Sequence, residues 1–515
     1  MKHNLFIGAL LLAVIGWGGC SVQQPASSGT AGKYSNILNI RYTPDSVSRC
    51  RGWFTDAGAW YGFTIPKQEQ WVNGFCGPFH LDMNKRQWLS DALVKVRFDG
   101  EEPDAVYTPD SVSYFPGELY MSSSSKTGRI EQRLVFVDKS TALLTCSSDR
   151  KTLLRFAGEV LPGDVVCTTD KNRVLLTWPS GEGVALTFSP EMGILSSEKG
   201  YETLTLTPGR SDVVISFFEN EASRQSVLHR ATVVQASPSG YREETARRWE
   251  GYLDKVLRPD MPEAYNRIAV KAVVTLIANW KSARGDLFHD GVAPSHAVGY
   301  FMGFWGWDSW KHAVALARFA PELAKDQVRT MFDYQTPEGM IIDCIYSDAS
   351  ENNARDSKPP LAAWAVDEIY KATGDTAFVK EMYPKLLHYY KWWFTHRDHN
   401  NNGICEFGSC DGTLEAAAWE SGMDNAIRFD NAVMVKNSEG AWSMDQESVD
   451  LNAFLALEHR LLAKLAPVAG AVFDEPDKLA QVQDYFFVSD PGFFFDKRLD
   501  GTSVMEEGTE ACIPL

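Results

Sequence analysis

Basic residues are in short supply in this chain: 50 Lys and Arg stand against 67 Asp and Glu in 515 residues, for a net charge of −17. That balance repels polyanions, so nucleic acid and anionic membrane surfaces are poor partners and neutral ligands remain. No CxxC pair or Cys/His cluster is present, and the sequence therefore offers no zinc site. HExxH, GxSxG and a phosphate-binding glycine loop are missing too. Their absence removes the simplest metallopeptidase, serine-hydrolase and P-loop readings. Beyond the N-terminal stretch no apolar run is long enough to span a bilayer.

What is present is ordinary globular composition, 44% hydrophobic and 23% charged. At 515 residues the chain exceeds one ordinary domain. Sixteen Trp residues and 12% aromatics are the compositional excess. Sugars present flat C–H faces that stack on indole, although most Trp residues in any protein serve the core.

The N-terminus, "MKHNLFIGALLLAVIGWGGCSVQQPASSGTAG", has Lys2 and His3 ahead of an apolar run from Leu5 to Ile15. This predicts a signal peptide over residues 1–19. Gly18-Gly19-Cys20 has the form of a bacterial lipoprotein processing site, with Cys20 lipidated; plain secretion is the alternative. Residues 20–33 are then a flexible tether, and the location is the periplasm or the cell surface, with a lipid anchor as the only membrane contact. Eight further cysteines permit disulfides without fixing their pairing.

Residues 34–238 read as an antiparallel β-sandwich domain. "RLVFVDKSTALLTC", "RVLLTWPSGEGVALTF" and "DVVISFF" are short β-branched and aromatic runs split by turn residues. Over 239–515 the period becomes helical. "EAYNRIAVKAVVTLIANWKSA", "WDSWKHAVALARFA", "PELAKDQVRTMFDY", "PPLAAWAVDEIYKAT", "DTAFVKEMYPKLLHYYKWWFTH" and "MDQESVDLNAFLALEHRLLAKLA" all have amphipathic spacing. Long polar loops at 284–306, 335–358 and 400–443 separate them, as in an (α/α) toroid whose loops line a central pocket.

Four stretches carry chemistry. In "DHNNNGICE", Asp398, Asn400 and Asn402 put oxygens at alternate positions before Gly403, with the Ile404 carbonyl and Glu406 to follow. Hard oxygens so spaced suit Ca²⁺, and equally an Asx-rich turn. In "GYFMGFWGWDSWKHA", Trp307 and Asp308 open a helix and suit a sugar ring; a helix cap with core indoles fits as well. "NNARDSKPPLAAW" points Arg355, Asp356 and Lys358 from a helix start. "WESGMDNAIRFD" holds Glu420, Asp424 and Asp430, with Trp419 beside them. A general acid needs an enclosed carboxyl, and Asp424 next to Met423 is the candidate, while Glu420 suits a structural hydrogen bond.

Together "WGWDSW", "RDSKPPLAAW", "DHNNNG", "WESGMD" and "QESVD" resemble bacterial members of glycoside hydrolase family 63. That family includes processing glucosidase I, bacterial α-glucosidases and mannosylglycerate hydrolases, and shares its (α/α)6 barrel with trehalases. The resemblance covers roughly residues 240–515. It implies that Asp424 is the general acid and that Trp307 and Asp308 hold the sugar. Lys358, Trp419 and Glu420 complete the candidate substrate contacts. It also implies a calcium ion on Asp398, Asn400, Asn402, Ile404 and Glu406, with Glu447 of "QESVD" added from the next helix.

The family inverts the anomeric centre, and its base is a Glu in the last helices of the barrel. This sequence reads about ninety residues past Asp424, to "GTEACIPL". The expectation is a toroid of which the first half to two-thirds is present, with the base missing. Glu506, Glu507 and Glu510 lack the context of that base. The expected function is an exported inverting glycosidase acting on a terminal α-linked glucose or related sugar. The alternative is an inactive lipoprotein that binds glycans.

Overall fold

The computed structural model describes residues 29–44, 52–189, 193–197, 199–205 and 207–515. The signal peptide, Cys20 and Cys50 lie outside these residues.

An eight-stranded antiparallel sheet dominates the N-terminal half. Its order in space is 166–170, 173–177, 183–187, 210–218, 141–148, 129–138, 118–124 and 108–115. A four-stranded sheet, ordered 194–196, 200–204, 154–159 and 95–98, packs against it. Val96, Phe98, Leu154 and Phe156 of the smaller sheet share one buried core with Leu119, Met121, Leu134 and Phe136 of the larger. Alternation of such residues with polar ones is what the period of a strand demands when one face is covered. A three-stranded sheet (61–64, 76–80, 87–88) adds a small core of its own around Trp53, Phe79 and Trp88.

Helix begins earlier than the sequence pattern suggests. Helix α1 (Glu221–Ala236) covers the outer face of the large sheet, where Ala231 and Val234 meet Val135, Leu143 and Val214. Thr232-Val233-Val234 resembles a strand in composition, but Asn220 and Ser223 form a capping box that starts a helix. α2 (Pro238–Val256) follows. Its Arg248 and Trp249 both donate to the buried Asp56 carboxylate, at 2.7 to 2.9 Å, and so tie helix to sandwich.

The remaining helices are α3 (Glu263–Asn279), α4 (Gly306–Leu316), α5 (Pro321–Phe332), α6 (Ala362–Thr373), α7 (Thr376–His396), α8 (Leu414–Ser421), α9 (Val449–Ala469) and α10 (Leu479–Phe486). Gly374, at φ +68°, ends α6, and Asp375 caps α7 through the amides of Ala377 and Phe378. On α9 Leu451, Leu455, Leu462 and Leu465 form one buried stripe, each contributing roughly 1.5–3 kcal/mol. Met444–Glu447, expected at the head of that helix, is instead the end of a strand, Ala441–Glu447. Antiparallel sheets followed by helices is thus the observed architecture. No helix among the described residues is long and apolar enough to cross a membrane. Cys146, Cys167, Cys344, Cys405, Cys410 and Cys512 are thiols.

Candidate active site

Three loops meet at the N-terminal end of α4. A two-residue strand, Phe304–Trp305, pairs with Cys344–Ile345 and delivers Gly306, Trp307 and Asp308 into the first turn of the helix. The Gly306 amide donates to the Asp343 carbonyl at 2.9 Å. A Cβ on Gly306 would stand 3.0 Å from the Lys358 Cβ, so a larger residue would push the second loop away. The third loop follows α8, which ends at Gly422 in the left-handed region (φ +68°). A Cβ at Gly422 would lie 2.5 Å from Cζ2 of Trp307. The glycine is therefore required twice, by its backbone angle and by the indole against it.

Between the loops lies a buried charge cluster. The Lys358 ammonium is 2.9 Å from Asp343 and 3.4 Å from Asp356, and it donates to the Trp419 carbonyl. Asn353 donates to Asp343 at 2.7 Å and to Asp356 at 3.3 Å. Burial, with the Asp343 charge next in weight, pushes the Asp356 carboxyl up to about 8. Burial likewise raises Asp343, and the Asp424 charge adds to the shift while Lys358 and Asn353 oppose it. Burial alone would lower the Lys358 ammonium, but Asp343 and Asp356 outweigh it and hold the lysine charged.

Glu420 matches the structural hydrogen bond read from sequence and not the substrate contact. It is 0% exposed, and Arg397 grips it with two bonds of 2.8 Å. The amides of Ser357 (3.1 Å) and Gly408 (2.6 Å) donate to it as well. With both oxygens taken, it holds the loops together.

Asp424 stands on the open side. It is exposed, in a cleft of about 410 Å³ lined also by Met423, Asn425, Arg428, Glu506, Glu507 and Glu510. Trp307 and Asp308 are half-buried, and Lys311 lays its ammonium 3.1 Å from the centre of the Trp307 ring. Trp419 is half-buried under the Arg355 guanidinium, 5.0 Å away. Trp307, Asp308, Lys358, Trp419 and Asp424 are thus gathered in one region. Sequence reasoning missed Asp343, Asn353 and Arg397. The signal for Asp343 was a lone acid in the apolar run "MIIDCIY".

The oxygen-rich loop follows α7. Asp398 accepts from the Asn402 and Gly403 amides (3.0 and 2.9 Å), and Asn402 accepts from Ile404. Glu406 and Glu447 are cross-strand partners, so Glu447 arrives from a strand and not from a helix. Asn400 and Asn402 turn their side-chain amides to Glu447, at 3.2 and 2.7 Å, and Tyr485 donates to its other oxygen. Glu406 is fully buried, and its Oε1 has no hydrogen-bond partner. Among the described residues no three His, Cys, Asp or Glu side chains group closely enough to hold a metal. The donor set fits a hard cation only with the two asparagine oxygens and the Ile404 carbonyl included, and the unpartnered Glu406 oxygen suits one.

A model of the mannosylglycerate hydrolase MGH1-like glycoside hydrolase domain matches residues 302–515. Mannosylglycerate hydrolase MGH2 of Selaginella moellendorffii is 25% identical over 157 residues, 27% of this chain and 30% of that protein. The mannosylglycerate hydrolase of Thermus thermophilus is 27% identical over 159 residues, 27% of this chain and 36% of that protein. The chain thus spans about a third of the length of these curated relatives. A crystal structure of a GH63 mannosylglycerate hydrolase from Thermus thermophilus in complex with Tris is similar at a TM-score of 0.39. That likeness has 19% identity and covers 48% of this chain and 72% of that one.

Proposed function

We propose, from the premise that residues 302–515 are a glycoside hydrolase domain of family 63, that the chain removes a terminal α-linked sugar from oligosaccharides with inversion. The sugar is glucose or a related hexose, and the names of the relatives bring mannosyl substrates alongside glucosyl ones. Asp424 is the general acid. It protonates the departing glycosidic oxygen as the C–O bond breaks, while a second carboxylate takes a proton from the attacking water. Inversion calls for roughly 6.5–9.5 Å between the two carboxyls. Glu506, Glu507 and Glu510 border the same cleft, and none is assigned as the base.

The observation that carries this reading is the contact of the Trp307 indole with Gly422, two residues before Asp424. It sets the Trp307–Asp308 pair, suited to a pyranose, beside the one candidate acid. α3 to α10 are read as hairpins of an (α/α)6 toroid. A structural calcium is proposed on Asp398, Asn400, Asn402, the Ile404 carbonyl, Glu406 and Glu447, where its charge would draw two buried carboxylates together. Export, lipidation of Cys20 and a periplasmic or surface location belong to the same proposal and rest on residues 1–33 of the sequence.

Glycan binding without turnover is favoured by one observation: Asp424 is open to solvent, whereas a general acid works best enclosed. The test is NMR of the first product released from α-glucosyl and α-mannosyl disaccharides by the full chain. The β-anomer should appear first, and Asp424→Asn should lower kcat by about 10²–10⁴-fold. Near-normal turnover in that variant sinks the assignment of the acid. Sugar binding with no product from the unmodified chain selects the second reading.

A further inference from the structure

A larger cleft lies on the sandwich, with a volume of about 990 Å³ against about 410 Å³ at Asp424. That is at the top of the ~300–1,000 Å³ range of small-molecule sites. Its floor is the outer face of the four-stranded sheet. Register places Lys95, Ala157, Glu202 and Leu195 in one row across the four strands. Residues in such a row share a face, and at ~4.8 Å per strand the row is roughly 14 Å wide. The ammonium and the carboxylate therefore flank a single methyl group, which leaves a hollow between a donor and an acceptor.

The walls add apolar surface. Trp71 lines one side, and Val106 and Leu195 stand 81% and 74% exposed at the rim. The Lys95 ammonium has no ion-pair partner among the described residues. Glu202 is shared by Arg97 at 2.9 Å and Arg155 at 2.8 Å. Acids outnumber bases along the lining, with Glu69, Asp104, Glu159 and Glu202 against Lys95 and Arg97. An anionic ligand would meet net repulsion there. A pyranose chain fits, with its C–H faces on Trp71, Ala157 and Leu195 and its hydroxyls bridging Lys95 and Glu202.

We infer that this cleft is a second carbohydrate-binding site, which takes a neutral oligosaccharide and is separate from the site around Asp424. The inference does not depend on the glycosidase reading, because it is tested by binding and the other by product release. The experiment is affinity electrophoresis of the full chain in gels containing soluble starch, mannan or polygalacturonate. At least one neutral polymer should retard the protein, and the anionic one should not. Ala157→Trp, which fills the hollow, and Leu195→Arg, at an exposed rim position where a charge stays in water, should each weaken retardation about tenfold, the equivalent of one good contact. No retardation by either neutral polymer overturns the proposal, as does retardation by polygalacturonate alone. Undiminished retardation of both variants moves the binding to the helical region and overturns it as well.

Discussion

Glu420 and Asp424 stand four residues apart on either side of Gly422, and the protein treats them in opposite ways. Glu420 is enclosed and accepts from two amides and a guanidinium. Asp424 is exposed at the edge of a cleft. The first carboxylate has spent its hydrogen-bonding capacity on the protein, and the second has kept it. Charge alone therefore does not mark a candidate acid; its oxygens must also be free.

The largest test of this contrast is Glu420→Gln. It leaves Arg397 buried beside a neutral amide, and should destabilise the fold by about 3–5 kcal/mol in urea unfolding. Asp424→Asn should change stability by no more than about 0.5 kcal/mol in the same assay, as at other exposed positions. Equal losses would erase the distinction. Next in size is removal of calcium by a chelator. A metal at a hundredfold excess over its Kd stabilises by about 2.7 kcal/mol, so EDTA should lower Tm, and an unchanged midpoint rejects the metal.

Gly422→Ala places a Cβ against Trp307 and forces a left-handed angle on alanine, which should lower stability by about 1–3 kcal/mol. Trp307 fluorescence should shift with it. The most gradual test is a pH slope. The Asp356 carboxyl is raised from 3.8 to about 8 in the folded protein, so its contribution is full below pH 3.8 and is lost as pH rises through 8. Tm should therefore fall across that window, and Asp356→Asn should flatten the fall.

Much of this was legible beforehand wherever a local signal governs the outcome. Asp375 caps α7, Gly422 ends α8, and the leucines of α9 lie on one stripe. The motifs bearing Trp307, Lys358 and Asp424 stood out through their resemblance to a known family, since the first two read equally well as ordinary helix starts. What stayed hidden depends on contacts distant in sequence. Glu420 could be given a structural hydrogen bond in advance, but its partners, Arg397 and the Gly408 amide, could not be named. Asp343 sits among apolar neighbours, and the arrival of Lys358 and Asn353 explains why an acid is tolerated there. Glu447 reads as helix because "QESVD" runs straight into α9, whereas its cross-strand pairing with Glu406 decides its place.

The donors that close on Glu420 come from positions 12, 23 and 63 residues away. Each such closure costs chain entropy before any bond rewards it. A buried carboxylate left short of a partner costs about 1–3 kcal/mol. The loop before α6, the end of α7 and the strand Glu406–Ser409 are therefore tied to one another through a single side chain, and displacing any one of them is felt by the other two.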